Sequence, residues 1–413
     1  MHVVNNSLCA VDATQATDKH GKPWLTVIAK GTYVLPELED GAEAPLALRP
    51  VRGGGLLRSD EFVDEPGFSA PTFEADLAPF KPRCDLLFKG SAHAPFRDGL
   101  AQPTLSVDVA LRLQDAAGQA LVDKRLRVHG ERQWQRQGRQ WQLSAPQPFV
   151  EQPLHYGIAF GGTWSPESIG VDDPAMRHVH PMNPVGRGYG RDAFLRLLEN
   201  APAHRTERWV DGRLEVADGP DVALPPAALG PLARAWQPRL QWAGTYDQVW
   251  KDEIFPLLPP DFDDRFHQAA PEDQQLDYPQ GGEVITLVNL AASVARTAGN
   301  GIAQYRFRIP KRRMSMALLT RDRESVLMEP HIDTLVVDTD AMRLHVTWRA
   351  RTRLRRSLRE VHTVVVGPYS SRWWYGQVSG NSDCATCGGS RPATPEEGLD
   401  DVPAAISETH PHE

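Results

Sequence analysis

Proline is the feature that most limits how this chain can fold. The sequence of 413 residues contains 35 prolines and 33 glycines, whereas average proline usage is about 5%. Proline lacks a backbone donor and is nearly excluded from helix interiors and central strands. The composition therefore excludes a helical bundle, a solenoid and a coiled coil. It predicts a mainly β fold with β-sandwich-like or barrel-like sheets, long ordered loops rich in Pro, Gly and Trp, and few short helices.

The charge balance limits the classes of partner. The chain has 45 Lys and Arg against 53 Asp and Glu, a net charge of −8, which argues against binding to a nucleic-acid backbone. The longest apolar run, residues 284–294, is interrupted by Asn289 and Ser293 and is shorter than the roughly 18 residues of a membrane span. The first residues lack the pattern of a signal peptide. We therefore expect a soluble, cytoplasmic protein with no nucleic-acid or membrane partner.

Alternation of apolar and polar residues predicts strands near both ends of the chain. The predicted strands are 24–34, 105–113, 121–129, 283–290, 305–309, 342–350 and 360–366. Gly118 marks the turn of a hairpin between 105–113 and 121–129, and we expect 360–366 to pair antiparallel with 342–350.

The segment between these regions has little periodicity but many Trp, Tyr, Pro and Gly residues. Disordered segments rarely contain so many aromatic residues, so we expect an ordered, loop-rich region. Within it we expect short helices at 192–200 and around 229–236. The chain then divides into an N-terminal β domain (1–145), a loop-rich segment packed on it (146–280), a C-terminal β region (281–378) and a disordered tail (379–413).

Motifs of known enzymes and metal sites are mostly missing from the sequence. It has no Gly-x-Ser-x-Gly elbow, no His-Glu-x-x-His and no phosphate-binding glycine loop. Cys384 and Cys387 have zinc-knuckle spacing, which His410 and His412 could complete, but a flexible pair of thiols is the favoured interpretation. His178 and His180 lack a third ligand. We therefore predict a protein without catalytic residues, metal or cofactor.

The most informative segment runs from Trp236 to Trp250 and continues through residues 259–266. Its Trp, Arg, Tyr and Asp residues could line a sugar cleft in which Asp247 works with Asp261, Asp263 or Asp264 as acid and base. They could equally join loops through Arg–Asp pairs and buried tryptophans, or recognise a protein. The second interpretation is favoured, and a buried pair between Asp247 and Arg239 would support it.

A run of arginines within residues 349–359 follows the last alternating strand. It is typical of a solvated strand face and a sheet edge protected by charge. Docking of an acidic protein is the second interpretation of this run.

Several ordered motifs carry a resemblance to a known family. They are Lys81-Pro82-Arg83-Cys84-Asp85, His129-Gly130-Glu131-Arg132-Gln133-Trp134, Pro153 to Thr163, Asn183-Pro184-Val185-Gly186, the segment from Trp236 to Trp250, and Pro260-Asp261-Phe262-Asp263. In this order they resemble the bacterial domains of unknown function encoded beside type VI secretion spike and PAAR-repeat genes. The resemblance implies a cytoplasmic adaptor or chaperone that binds a secreted effector and helps to load it onto the VgrG/PAAR spike.

The residues that we expect to bind a partner or to shape these motifs form one set. They are Arg132, Trp134, Phe160, Gly161, Gly162, Asn183, Pro184, Gly186, Trp236, Arg239, Gly244, Thr245, Tyr246, Asp247, Trp250, Asp261, Phe262 and Asp263. Two other functions stay open: the glycan hydrolase described above, and a structural component that persists in the assembled secretion apparatus.

Overall fold

The computed structural model describes residues 1–36, 45–97, 100–137, 140–164, 177–190, 208–210, 213–216, 226–292 and 304–379. The described part of the chain is mainly β, with 42% strand, which confirms the predicted fold class. The described residues form several separate sheets, and none of these sheets closes into a barrel.

The strands are numbered here in chain order. The first fifteen are β1 (His2–Asn5), β2 (Ala10–Thr17), β3 (Pro23–Val34), β4 (Arg49–Val51), β5 (Glu61–Phe62), β6 (Pro71–Phe73), β7 (Cys84–Lys89), β8 (Ser91–His93), β9 (Phe96–Arg97), β10 (Leu100–Ala101), β11 (Ser106–Gln114), β12 (Ala120–His129), β13 (Gln133–Gln137), β14 (Gln140–Leu143) and β15 (Glu151–Pro153). The others are β16 (Phe160–Gly161), β17 (Thr163–Trp164), β18 (His178–Val179), β19 (Arg187–Gly188), β20 (Arg208–Val210), β21 (Leu214–Val216), β22 (Gln275–Leu276), β23 (Val284–Val288), β24 (Gln304–Arg308), β25 (Met316–Thr320), β26 (Ser325–Met328), β27 (His331–Asp338), β28 (Arg343–Arg353) and β29 (Val361–Val366).

Helical structure among the described residues is short, as the proline content predicts. The α-helices are Gln237–Leu240 and Ser371–Ser379, the 3-10 helices are Tyr156–Ile158, Asp264–His267, Glu272–Gln274 and Leu358–Glu360, and one π-helical turn spans Trp250–Ile254.

The largest sheet has seven strands, in the order β2-β3-β28-β27-β7-β22, with β4 added to β3. Its centre is the antiparallel pair β3 and β28, which runs from Trp24 opposite Arg353 to Val34 opposite Arg343. The run from Leu25 to Ala29 is buried without a break, because this sheet is covered on both faces. The strand predicted at 24–34 is therefore confirmed.

A second sheet of five strands has the order β21-β12-β11-β23-β24. The predicted hairpin is confirmed, since β11 and β12 pair antiparallel from Ser106 opposite His129, and Gly118 in their turn has a φ of 84°. In β12 buried and exposed residues alternate, as expected where one face of a sheet is solvated. One hydrophobic cluster contains residues of both large sheets, among them Leu111 and Trp348.

The predicted pairing of 360–366 with 342–350 is wrong. β29 lies instead between β1, which is parallel to it, and β25, in a sheet ordered β1-β29-β25-β26. Besides β3, the neighbour of β28 is β27. The sequence patterns did not predict β27, nor did they predict β25 and β26. A tight turn, in which Met342 has a φ of 50°, joins β27 to one side of β28. Because β3 occupies the other side, no edge of β28 is free for β29.

The predicted position of the arginine run at a sheet edge is also wrong, because β28 is not an edge strand. β28 lies between β3 and β27, so its first arginines belong to the middle of the sheet. Arg349 is only 5% exposed and forms an ion pair with Asp333 of β27. Arg351, Arg353 and Arg355 are exposed, in agreement with a solvated strand end.

The helix predicted around 229–236 is wrong in position, because the helix is Gln237–Leu240. Residues before it bond to other segments instead, with the Leu232 amide donating to the Ala269 carbonyl at 2.8 Å. Pro238 suits the first turn of a helix, where its missing N–H costs nothing. The helix predicted at 192–200 and residues 380–413 of the tail lie outside the described residues, and the four predicted domains stay a prediction.

Candidate protein-binding site

Arg239 and Trp236, the start of the most informative segment, are part of the protein interior. Arg239 is 2% exposed and Trp236 is 4% exposed. The Arg239 guanidinium donates to the Phe266 carbonyl at 3.0 Å, to the Leu232 carbonyl at 2.9 Å and to Glu74 at 2.6 Å. Arg239 therefore joins three separate stretches of chain, and its acidic partner is Glu74 instead of Asp247.

Glu74 belongs to a buried ionic network that the sequence patterns did not predict. Lys81 donates to Glu74 at 2.9 Å and to Asp85 at 2.7 Å. Burial alone would raise the pKa of Glu74, but the charges of Lys81 and Arg239 outweigh it and lower this pKa to about 2. Lys81 and Asp85 lie inside a motif that carries the family resemblance. The spacing of Lys81 and Asp85 does not predict that Glu74 joins them. Glu74 is also far from Arg239 in the sequence, so no local pattern links these two residues.

Gly244, Thr245 and Asp261 form a clamp between two loops. The Thr245 amide and hydroxyl donate to the two Asp261 oxygens at 3.0 and 2.7 Å. Gly244 has a φ of 83°, a conformation that favours glycine, and a Cβ there would lie 2.9 Å from Pro259. These motif residues therefore fix how the segment after Trp236 meets the segment after Pro259.

Asp263 and Phe262 continue this second loop. Phe262 is buried at 8% exposure, whereas Asp263 accepts hydrogen bonds from the Arg265 amide at 2.9 Å and from its guanidinium. The Arg265 guanidinium lies 3.4 Å from the centre of the Trp242 ring, a cation–π contact. Arg–Asp pairing and tryptophan packing thus hold the loop, as the favoured interpretation of the sequence expected, although with different partners.

Tyr246, Val249, Trp250 and Phe255 form what we call the aromatic patch. The Tyr246 and Trp250 rings are 4.7 Å apart, and those of Trp250 and Phe255 are 5.6 Å apart. Tyr246 is 49% exposed, Val249 54% and Phe255 68%. Large apolar side chains this exposed and this close together are typical of interaction surfaces.

Hydrogen bonds hold the backbone beneath the aromatic patch. The Asp247 carboxylate accepts from the Trp250 amide at 2.9 Å, and the Trp250 indole donates to the Leu257 carbonyl at 2.9 Å. Lys19 donates to the carbonyls of Pro260 and Phe262, each at 3.1 Å. Side-chain hydrogen bonds therefore tie the segment that carries the patch to the loop that follows it.

The glycine-rich motifs cross each other around Asn183, which is fully buried. Its side-chain amide donates to the carbonyls of Tyr156 and Phe160, both at 2.9 Å. A Cβ on Gly161 would meet the Asn183 carbonyl, and a Cβ on Gly162 would meet the Gly186 carbonyl. Pro184 is half-buried, and its carbonyl accepts a 3.3 Å hydrogen bond from Thr163. These residues build a close crossing of loops.

This loop crossing contacts the Trp236 segment directly. The Tyr156 ring meets the Trp236 ring edge to face at 5.4 Å, and the Gln237 amide donates to the Pro181 carbonyl at 2.9 Å. The structure thus brings two groups of the predicted residues together. Arg132 and Trp134 are half-buried, and Trp134 belongs to a separate three-stranded sheet ordered β14-β13-β20.

The carboxylates proposed for catalysis have structural hydrogen bonds. Hydrogen bonds from the Thr245 amide and hydroxyl lower the pKa of Asp261, and hydrogen bonds from Arg265 lower the pKa of Asp263. Burial raises the pKa of Asp264. A general acid needs a raised pKa, so Asp261 and Asp263 are poorly suited to that role.

His178 and His180 are the pair that the sequence offered as metal ligands without a third. The His180 ring packs against Tyr189 at 4.8 Å and Phe160 at 5.4 Å. No group of three or more potential metal ligands occurs among the described residues. The described helices are also all too short or too polar to cross a membrane.

Comparison with known proteins places this mainly β chain in one family. A family model described as an uncharacterized protein conserved in bacteria, DUF2169, matches residues 20–349. The chain therefore belongs to this bacterial family. Searches of curated proteins and of solved structures found no match.

Proposed function

We propose that this protein is a non-enzymatic adaptor that binds a type VI secretion effector and helps to load it onto the VgrG/PAAR spike. The observation that carries the proposal is the aromatic patch, which is exposed and yet held by hydrogen bonds. Trp and Tyr are enriched among the residues that dominate binding energy. A surface already fixed in its binding conformation loses little entropy when a partner binds.

The charges around the aromatic patch define the chemistry of its partner. Asp247, Asp252 and Glu253 are exposed beside it, and the only basic residue between Asp247 and Phe255 is Lys251. Acidic groups at the rim of an interface favour a basic partner surface and accelerate its association. The contact surface of the effector or spike protein should therefore combine an apolar centre with basic residues around it.

The link to secretion rests on the resemblance of the motifs, and cytoplasmic loading follows from that link. The buried members of these motifs, such as Arg239 and Asn183, hold the loops in place, whereas Tyr246 and Trp250 face the partner. In this proposal the motifs matter because they shape the surface that binds.

The direct test is complex formation between purified full-length proteins. This protein is mixed with the effector and with the VgrG or PAAR protein encoded beside it, and each mixture is run on size-exclusion chromatography at low and high salt. We expect co-elution with at least one of them, weaker at high salt because the rim is charged. Separate elution of every pair under all salt conditions would overturn the proposal.

A glycan hydrolase is the alternative, and Asp264 is the observation in its favour, since burial raises the pKa of this carboxyl group. Asp247 would be the second catalytic carboxylate. The discriminating experiment compares hydrolysis of peptidoglycan by the wild type and by Asp247→Asn. Activity in the wild type that the substitution abolishes would establish the hydrolase, and activity that survives it would remove this mechanism.

A further inference from the structure

A cleft of about 200 Å³ opens on the seven-stranded sheet, and none of the residues of the aromatic patch lines it. His331 of β27 and Arg349 and Arg351 of β28 contribute from the sheet, and Phe80 and Tyr278 contribute from two loops. Next to His331, the pairing of β27 with β28 shifts register between Ile332 and Thr334. Such irregularities change the direction in which side chains point and are frequent beside functional sites.

The walls of the cleft are held in place by buried contacts. Arg349 pairs with Asp333 and donates to the carbonyls of Asp76 and Ala78, which fixes the loop that carries Phe80. The Tyr278 hydroxyl donates to the Lys81 carbonyl at 2.5 Å. The Tyr278 ring stacks on the His331 ring at 4.6 Å with 12° between their planes. These contacts give the cleft flat aromatic walls.

Arg351 is the cationic group of the cleft with unused hydrogen-bonding capacity. Its guanidinium lies 3.5 Å from the centre of the Phe80 ring and 4.8 Å from that of Trp24. The Trp24 indole is itself fixed by a 3.0 Å hydrogen bond to Asp18. No hydrogen bond joins the Arg351 guanidinium to another residue in the described part of the chain. A guanidinium stacked on rings keeps its N–H edge available for a planar, bidentate anion.

The other charges of the cleft restrict which anion would fit. Lys81 is paired with Glu74 and Asp85, and Arg349 is paired with Asp333, so neither adds a free positive charge. Glu329 lines the cleft and is exposed, and the nearby Asp264 also interacts with Arg351. These carboxylates disfavour a ligand with two negative charges.

We propose that this cleft binds a monocarboxylate carried on a small, flat apolar body, with Arg351 holding the carboxylate and the Phe80, Tyr278 and His331 rings enclosing the body. The volume is below the roughly 300 Å³ at which pockets for drug-sized ligands begin, so a nucleotide is excluded and a body of one amino-acid residue fits. A free aromatic acid and the C-terminal residue of a peptide share this chemistry.

The test is isothermal titration of the full-length protein with four probes. N-acetylphenylalanine represents a peptide C-terminus, 3-phenylpropionate a free acid, N-acetylphenylalaninamide the same body without the carboxylate, and phenyl phosphate a dianion. We expect saturable binding of at least one carboxylate, and at least about tenfold weaker binding of the amide and of the phosphate. Tighter binding of N-acetylphenylalanine than of 3-phenylpropionate identifies a peptide terminus, and the reverse order identifies a free acid.

Variants locate the binding site. Arg351→Gln should weaken carboxylate binding at least about tenfold, whereas Arg353→Gln, an exposed arginine two residues further along β28, should leave it within about twofold. Arg351→Lys keeps the charge without the bidentate geometry and should bind with intermediate affinity. Equal binding of acid and amide, absence of saturation by either acid up to about 10 mM, or wild-type affinity in Arg351→Gln would each overturn the proposal. The probe comparisons use the wild type, so they decide the matter even if a variant fails to fold.

Discussion

At the scale of single residues, burial separates the motif residues that hold the fold from those that can bind. Arg239 and Asn183 are almost completely buried and bond to the backbone of distant segments. Tyr246 and Phe255 are exposed. Both rings contact Trp250, whose backbone amide and indole N–H each donate a hydrogen bond. Residue types alone cannot distinguish the two groups, because Trp, Tyr, Arg and Asp occur both in structural contacts and in binding surfaces.

Arg239 should contribute strongly to stability. Arg239→Met removes one of the cationic partners of the buried Glu74 and leaves the carbonyls of Leu232 and Phe266 without a donor, so we expect the free energy of unfolding to fall by about 3–5 kcal/mol. The control is Arg355→Met, since Arg355 pairs with Glu324 at the surface, where such pairs contribute less than about 1 kcal/mol. Urea unfolding measures both. Equal losses in the two variants would contradict the role assigned to Arg239.

Two half-buried histidines should make the protein less stable in acid. Burial lowers the pKa of His267 from 6.5 to about 3 and that of His345 to about 4. Between pH 6.5 and 4 the unfolded chain therefore binds protons that the folded protein does not. The free energy of unfolding should fall with pH in this window, by at most about 1.4 kcal/mol per pH unit for each histidine.

His267→Phe tests this origin of the pH dependence. His267 packs against the rings of Phe262 and Phe266, at 5.8 and 5.6 Å, so a phenyl ring suits the position. Urea unfolding across the window should show a shallower pH dependence in the variant. His345 supplies part of what is left, together with His93, His155 and His180, whose pKa values burial also lowers. An unchanged slope would show that His267 titrates alike in the folded and unfolded chain.

At the scale of elements, the close crossing of the glycine-rich loops is the feature with least tolerance for change. A Cβ on Gly186 would lie 2.6 Å from the Ala159 carbonyl oxygen and would also meet the Asn183 amide. Gly186→Ala should therefore lower the free energy of unfolding by about 1–3 kcal/mol. Gly54→Ala is the matched control, because nothing lies within 4 Å of a Cβ there. A Gly186 variant as stable as the Gly54 variant would disprove the tight crossing.

Sequence patterns predicted the strands that have one solvated face, such as β11 and β12, because their residues alternate between core and solvent. They missed β27, whose residues from Ile332 to Asp338 are all buried and show no alternation. Without β27 the pairing of β28 could not be derived, and β29 was assigned to the wrong sheet. Glu74 was missed for a related reason, since its partner Arg239 is adjacent only in three dimensions.

At the scale of the whole molecule, the large sheets and their shared hydrophobic cluster carry two separate surfaces. The aromatic patch belongs to the loops after Trp236, and the Arg351 cleft belongs to the end of the seven-stranded sheet. They differ in chemistry, since the first is apolar with an acidic rim and the second presents a guanidinium between rings. A ligand in the cleft and a protein on the patch should therefore respond to different substitutions.

The high proline and glycine content affects how the loops of the whole molecule pack against each other. Prolines and glycines such as Pro184, Gly186 and Gly244 do more than separate strands, because they let loops approach closely and support exposed aromatics. Composition predicted ordered loops and a mainly β fold. It could not predict which loops touch, since those contacts depend on packing between segments far apart in sequence.

The most direct test of the adaptor proposal measures affinity for the effector or spike protein with the aromatic patch altered. Tyr246→Ser combined with Phe255→Ser should weaken binding at least about hundredfold, because each exposed aromatic anchor contributes on the order of 2 kcal/mol. Tyr375→Ser, at a tyrosine that is 62% exposed on the Ser371–Ser379 helix, should leave the affinity within about twofold. A folded double variant that binds its partner as tightly as the wild type would contradict the account.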